Sequence, residues 1–468
     1  MPKQRAMDVP DDKQDVSLLD YPTRLLPLKA DLESVTETIG SIVLKPRERQ
    51  PKAWFLAAGV AFTLLMIFFM AIGWLLWRGT GIWGINVPIA WGFAIVNFVW
   101  WVGIGHAGTF ISAVLLLFRQ KWRTSINRFT ETMTLCAISC AGLFPLLHLG
   151  RPWVFYWMAP YPDTMGLWPQ FRSPLVWDMF AVGTYFIVSL IFWYSGLIPD
   201  LATLRDRAQT RGKKLVYGFL ALGWRNSAVH WQRHQAAYLL LAGIATPLVL
   251  SVHSVVGLDF AAAMVPGWHE TIIPPYFVAG AIYSGFAMML NIILPIRKLY
   301  RLDGLITERH LNNIGNVMLV LGNMVAYSYI MEEFMAWYSG DIFEQSSMAY
   351  RAFGSYGWIF WALIVINILV PQALWSRRVR THPVALFFVA LCANLGMWVD
   401  HFLIIVVSLT RDFTPSTWKM YYPTIWDWAM LFGSLGLFFT LMVLFIRFLP
   451  VIAMAETREL VSERNERK

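Results

Sequence analysis

The sequence predicts an all-α, polytopic membrane protein with ten transmembrane helices. Three observations predict it. Of 468 residues, 57% are hydrophobic and only 14% charged, with a mean hydropathy of +0.51, too apolar and too poor in charge for a water-soluble domain. Ten apolar segments of roughly 20 residues or more, each enough for about 30 Å of hydrocarbon at 1.5 Å per residue, follow the basic stretch 45–52. None of the 38 Lys and Arg residues falls inside the apolar part of these segments. Assigned to the connecting loops, 27 lie on one side of the membrane and 6 on the other, with 5 in residues 1–44. Basic residues stay in the cytoplasm, so both termini are expected there, and nine or eleven spans would destroy the alternation. The net charge of +9 then reflects topology and anionic lipid rather than nucleic acid.

Residues 1–52 are polar, mix acidic and basic residues with scattered Pro, and lack the basic-then-apolar layout of a cleavable signal peptide. They read as a cytoplasmic tail, with a short amphipathic helix expected near 31–44 that lies on the membrane or on a partner. A flanking span near 54–77, within 53–85, comes next. Spans near 86–118, 128–150, 174–198 and 235–257 form an expected four-helix bundle over 86–257. Spans near 273–299, 312–338, 353–375 and 383–408 form a second over 258–408. The last flanking span, near 424–450, and a cytoplasmic tail occupy 409–468. Each bundle begins on the outside, so the two read as parallel repeats about an axis along the membrane normal. His148 and Glu332 fall at equivalent positions of this repeat, as do His253 and His401. Cys136, Cys140 and Cys392 are odd in number and form no Cys-x-x-Cys, so no iron–sulfur, zinc or covalent-haem site is expected. They read as small packing residues.

Ionisable groups inside a bilayer cost about 2.5–3.5 kcal/mol each on insertion scales, so each is a functional candidate. Depth sorts them. His148 lies near the outer end of the third span, Asp178 about one turn below that surface on the fourth, and His253 and Asp259 near the outer end of the fifth. Four such groups on three successive helices exceed what one helix contact requires, although His–Asp pairs that merely hold helices together are the structural alternative. The outward loops at 151–174 and 411–426, rich in Trp, Tyr and Pro, lie over this layer as an aromatic belt or as a docking floor. The chemistry suited to the layer is oxidation of a lipid-soluble hydroquinone, whose hydroxyl proton needs a base within reach. An imidazole with an ordinary pKa near 6.5, or a carboxylate, accepts that proton. Arg151, one turn beyond His148, holds a carboxylate ionised. A deeper layer, Glu332, Glu333, Asp400 and His401, is expected as paired charges, a proton relay or a relic second site, with His106 and Glu131 extending such a relay towards the cytoplasm.

The run LLHLGRPWVFYW (146–157), followed by a Pro-rich loop and SPLVWD (173–178), resembles the polysulfide reductase membrane-subunit family, also called NrfD-like. The resemblance implies quinone binding near the outer surface and electron exchange with an iron–sulfur subunit docked there, with an eight-helix core over 86–408. Ten spans, the polar N-terminal tail and RFLPVIAMAETREL (447–460) are more similar to one branch, the larger quinol-binding membrane subunit of bacterial alternative complex III. That implies menaquinol or ubiquinol as substrate, no haem or iron–sulfur cluster in this chain, and His148, Asp178 and Asp259 as quinol-site residues. It also implies c-type haem subunits, a second NrfD-like membrane subunit and a terminal oxidase as partners, in the bacterial inner membrane.

Two other classes fit parts of the pattern. A haem-binding cytochrome b would use His148 with His253, or His106 with His401, as axial ligands, but no single expected span carries two His residues. A secondary transporter also has repeats and buried charges, yet its binding groups belong at the midplane, whereas the richest cluster here lies near the outer surface.

Overall fold

The computed structural model describes residue 25 and residues 31–45, 50–158 and 173–466. Among these residues the chain is helical and contains no strand. Ten helices are long and apolar enough to cross a membrane, and the protein is a multi-pass membrane protein. In chain order the helices are α1 (Leu32–Leu44), α2 (Lys52–Arg78), α3 (Phe93–Leu117), α4 (Asn127–His148), α5 (Pro174–Arg207), α6 (Arg211–Leu220), α7 (Ala228–Ala261), α8 (Ile273–Tyr300), α9 (Glu308–Ser339), α10 (Ile342–Phe353), α11 (Gly357–Trp375), α12 (Pro383–Val407), α13 (Ile425–Phe448) and α14 (Met454–Glu466). An even number of crossings puts α1 and α14 on one face, here the terminal face. The opposite face is the distal face.

The spans α3, α4, α5 and α7 are called the first group here and α8, α9, α11 and α12 the second; α3 and α7 both pack on α8 across the two. The groups meet along α3 and α8, the most enclosed helices. Small residues set that approach, since without a hydrophobic drive between helices in lipid, close backbone contact supplies the attraction. A Cβ on Gly285 of α8 would lie 1.9 Å from Ala107 Cβ, and one on Gly108 of α3 would lie 2.1 Å from the Thr130 carbonyl of α4. The flanking helices α2 and α13 pair in the same way, with Gly433 and Gly436 against Phe68 and Leu65. Leu56, Phe62, Phe69 and Trp77 of α2 are exposed, a face suited to lipid.

Several sequence expectations shift. The helix expected at 31–44 is present, and its apolar face rests on its own chain. Val35, Ile39 and Val43 are buried, Arg447 donates to the Val43 carbonyl at 2.9 Å, and α1 packs on α13 and α14. The expectation that no basic residue enters an apolar helix fails at Arg128. Helix α4 begins at Asn127, and the Arg128 side chain is fully buried because two carboxylates receive it. The span expected at 353–375 begins at Gly357 as α11, and the turn at 354–357 separates it from the short helix α10 before it. Helix α3 starts at Phe93 rather than 86, and the segment before it is tied down when the Asp427 carboxylate accepts the Gly84 amide at 2.9 Å.

Candidate functional site

The HLGRP run (148–152) folds as a helix end. His148 is the last residue of α4, Gly150 adopts φ +67°, and a Cβ there would lie 2.9 Å from Thr80 Cγ2. Glycine suits both the left-handed turn and the close approach. The turn leaves the His148 ring lying parallel to Trp83, at 8° and 6.2 Å between centroids. Pro174 opens α5 at its first position, where a missing N–H is harmless, and Asp178 follows one turn later, buried. Asp259 is two residues from the end of α7. At 1.5 Å per residue all three lie within about 7 Å of a distal helix end.

The structure brings Asp178 and Asp259 into a side-chain hydrogen bond. Two carboxyl groups in such contact are held together by sharing a proton, which makes the pair a single proton-handling unit. One oxygen of each carboxyl and Nδ1 of His148 are buried without a protein partner among the described residues. Buried polar atoms are ordinarily satisfied, so these three orphan positions are available to a ligand that donates and accepts hydrogen bonds. Arg151 is exposed beyond the turn. Part of the expected aromatic cover, 159–172, lies outside the described residues. The 411–426 loop folds back on the protein, with the Arg411 guanidinium 4.1 Å above the Tyr350 ring and 4.2 Å from that of Trp418.

His253 sits elsewhere than beside His148. It is six residues, about 9 Å, below Asp259 on α7, and its Nδ1 meets Nδ1 of His106 at 3.1 Å. One ring donates and the other accepts. Tyr185 holds this level by donating to the Gly105 carbonyl at 3.0 Å.

From His106 a polar ladder descends α3 with the three-residue spacing that keeps side chains on one helix face. Thr109 donates to Ser189 at 3.1 Å and lies 3.3 Å from Thr134 Oγ1. Ser112 donates to Glu131 at 2.6 Å. Glu131 also accepts from Tyr238 at 2.7 Å and from Arg128 at 2.9 Å, and Arg128 reaches Asp200 at 3.5 Å. The tail closes this end, because Asp200 accepts the Ala455 amide at 2.9 Å and Glu456 pairs with Arg123 at 2.8 Å.

The other expected layer is split. Asp400 and His401 are adjacent on α12, so their side chains diverge by about 100°. Asp400 accepts a hydrogen bond from Tyr276, while His401 packs edge-on to Phe277 at 5.5 Å, with His253 against the same ring at 6.0 Å. Glu332 pairs with Arg351 of α10 at 2.5 Å. Around them stand Glu333, Glu344 and Glu270, and burial with the Glu332 charge pushes the Glu270 carboxyl up to about 8.

Sequence reasoning missed Arg128, Asp200, Tyr238, Arg351 and Glu270, because each reads as a loop or helix-end residue. The His106–Thr109–Ser112 spacing was a signal available in the sequence. No group of three or more His, Cys, Asp or Glu side chains converges as a metal site among the described residues.

Comparison with known proteins adds a family. The model of the polysulphide reductase NrfD family matches residues 83–411, the segment that contains α3 to α12 and both helix groups. A Halobacterium salinarum protein, named as the membrane subunit of a dimethyl sulfoxide reductase, is 31% identical over 233 residues. That match covers 50% of this chain and 49% of the relative, so it spans about half of that protein. A selenate reductase subunit of Mesobacillus selenatarsenatis is 21% identical over 77% of this chain and 86% of its own. The Hdr-like menaquinol oxidoreductase integral membrane subunit of Archaeoglobus fulgidus is 18% identical over 82% and 90%. A family match over eight of ten apolar helices, with relatives that are subunits of oxidoreductase complexes, places this chain in the polysulphide reductase NrfD family of membrane subunits.

Proposed function

We propose that the chain is the quinol-oxidising membrane subunit of a respiratory oxidoreductase, of the alternative complex III kind. The observation that carries this reading is the pairing of Asp178 with Asp259 at the distal helix ends, the level at which His148 also lies, with a buried unsatisfied atom on each of the three residues. A relative named as a menaquinol oxidoreductase subunit supports the substrate class. The loop charges, 27 basic residues against 6, support a distal face on the outside of the inner membrane and cytoplasmic termini.

In this reading a menaquinol or ubiquinol enters from the bilayer and donates one hydroxyl to His148 Nδ1 and another to the free carboxyl oxygens. Oxidation to the quinone releases two electrons and two protons. His148 takes one proton and the carboxyl pair the other. The two electrons leave to an iron–sulfur subunit docked on the outer face, and from there to c-type haem subunits. A second NrfD-like membrane subunit and a terminal oxidase complete the assembly. The pair His253 and His106, followed by Thr109, Ser112 and Glu131, forms a route along which protons cross the first helix group.

The test is quinol oxidation by the assembled complex carrying His148→Ala or Asp178→Asn. Loss of turnover with assembly intact is expected; normal turnover in both variants rejects the site.

A further inference from the structure

The second helix group contains a cavity of about 250 Å³. It lies between α9, α11 and α12 in their distal halves. Helices α11 and α12 widen into π-helical turns at Val365–Leu369 and Leu403–Val407. These are the two π segments among the described residues. Both line this one cavity, through Ile368, Leu403 and Ile404. Such turns forgo the regular α-helical hydrogen-bond pattern and recur at functional sites.

The cavity is amphiphilic. Glu332, Glu333, Arg351 and Asp400 line it together with apolar side chains that include Ile330, Ile364 and Ile368. Arg351 is 4% exposed. Its terminal nitrogens are committed to Glu332, to the Gly267 carbonyl at 2.9 Å and to Ser408 at 2.7 Å. Its Nε–H is buried with no acceptor among the described residues. Ile330, beside the cavity, is 62% exposed, which gives the cleft a sideways mouth towards lipid. Ile368, at the inner end of the cleft, lies eleven residues, about 16 Å, below the distal start of α11 at Gly357, deeper than a lipid headgroup sits.

We propose that this cleft is a second binding site for the ring of an isoprenoid quinone or hydroquinone, separate from the Asp178–Asp259 site. The Arg351 Nε–H donates to a ring oxygen, Glu333 accepts the hydroxyl of the reduced form, and the tail leaves past Ile364 and Ile330. The excess of carboxylates over cations there repels a phospholipid phosphate. No electron transfer is assigned to the site, which holds the ring within reach of the bilayer. The proposal rests on the quinol reading of the chain.

The test is photolabelling of the intact complex with an azido-substituted isoprenoid quinone, followed by peptide mapping. Two labelled regions are expected, one on the helices carrying His148, Asp178 and Asp259 and one on residues 329–333 or 360–368. Both are expected to be lost with excess unlabelled quinone. Ile364→Trp fills the cleft from its apolar wall and abolishes the second label, while the first label and turnover at saturating quinol are retained. Glu333→Gln, which leaves the Glu332–Arg351 pair in place, weakens the second label without altering assembly. Label confined to the first region at saturating probe overturns the proposal, as does a second label that survives Ile364→Trp or excess quinone. Label confined to the second region rejects the distal site instead and leaves this one standing.

Discussion

Replacing Asp178 by Asn isolates the chemistry of the carboxyl pair from its packing. The two side chains have nearly the same volume, and Asp178 is 8% exposed, so no cavity opens and no new charge is buried. The Asn amide donates to Asp259 in place of the shared proton, which preserves the contact between α5 and α7. What disappears is one of the two carboxyl groups that together accept a proton from substrate. A positioned base contributes about 10²- to 10⁴-fold, or roughly 3–5 kcal/mol of barrier at 1.36 kcal/mol per tenfold. Asp259→Asn is expected to lose a similar factor. Because the two carboxyls hold one proton between them, they act as one base, and the double variant is expected to fall no further than the worse single one. The assay is steady-state quinol oxidation by the purified complex, with kcat and KM separated and assembly checked by gel filtration. Single variants within about twofold of wild type, or a double variant whose losses multiply, would refute the shared-base argument.

Three further outcomes follow from the packing and charge. Arg128→Leu leaves Glu131 and Asp200 buried without their cation, and breaking such a pair costs about 3–5 kcal/mol; adding Glu131→Gln and Asp200→Asn restores part of it, as thermal unfolding in detergent measures. Gly285→Ala drives a Cβ to 1.9 Å from Ala107 and must part α3 from α8, destabilising by about 1–3 kcal/mol; Gly183→Ala, with open space around it, serves as the near-neutral control. Glu270→Gln removes a carboxyl whose folded pKa is about 8 against an ordinary 4.5. With the folded value raised, its stabilising contribution is complete below about pH 4.5 and is lost as pH rises through about 8. At about 1.4 kcal/mol per pH unit the loss is capped near ~5 kcal/mol, and solvent reaching the half-buried group reduces it to a few. Melting temperature against pH is therefore expected to fall less steeply for the variant between pH 5 and 8, and an unchanged slope removes Glu270 as the titrating group.

The ten apolar helices were legible because lipid imposes a one-dimensional rule: a segment that crosses must be long and apolar, and Arg or Lys must wait for the ends. Arg128 escaped that rule because Glu131, three residues on, and Asp200, seventy-two residues away, neutralise it. The same one-dimensional reading placed Asp178 and Asp259 at one depth, and the fold joins them. It also placed His253 with them, and there depth was too coarse: six residues carry it about 9 Å down α7 to His106. Asp400 and His401 share a depth as neighbours but face different partners, since rotation about a helix axis depends on what packs around it.

Arg351 and Glu270 show the other limit. Both occur in short polar connections that sequence assigns to the surface, and both fold inward against Glu332. The sequence alone determined the membrane, the number of crossings and the span on which each ionisable group of the membrane lies, because these follow from local composition and length. Only the tertiary structure decided which groups meet, where π-turns open a cleft and how the tail caps Arg123 and Asp200. Those outcomes depend on helix rotation and on contacts between segments far apart in the chain, which depth along a single helix does not specify.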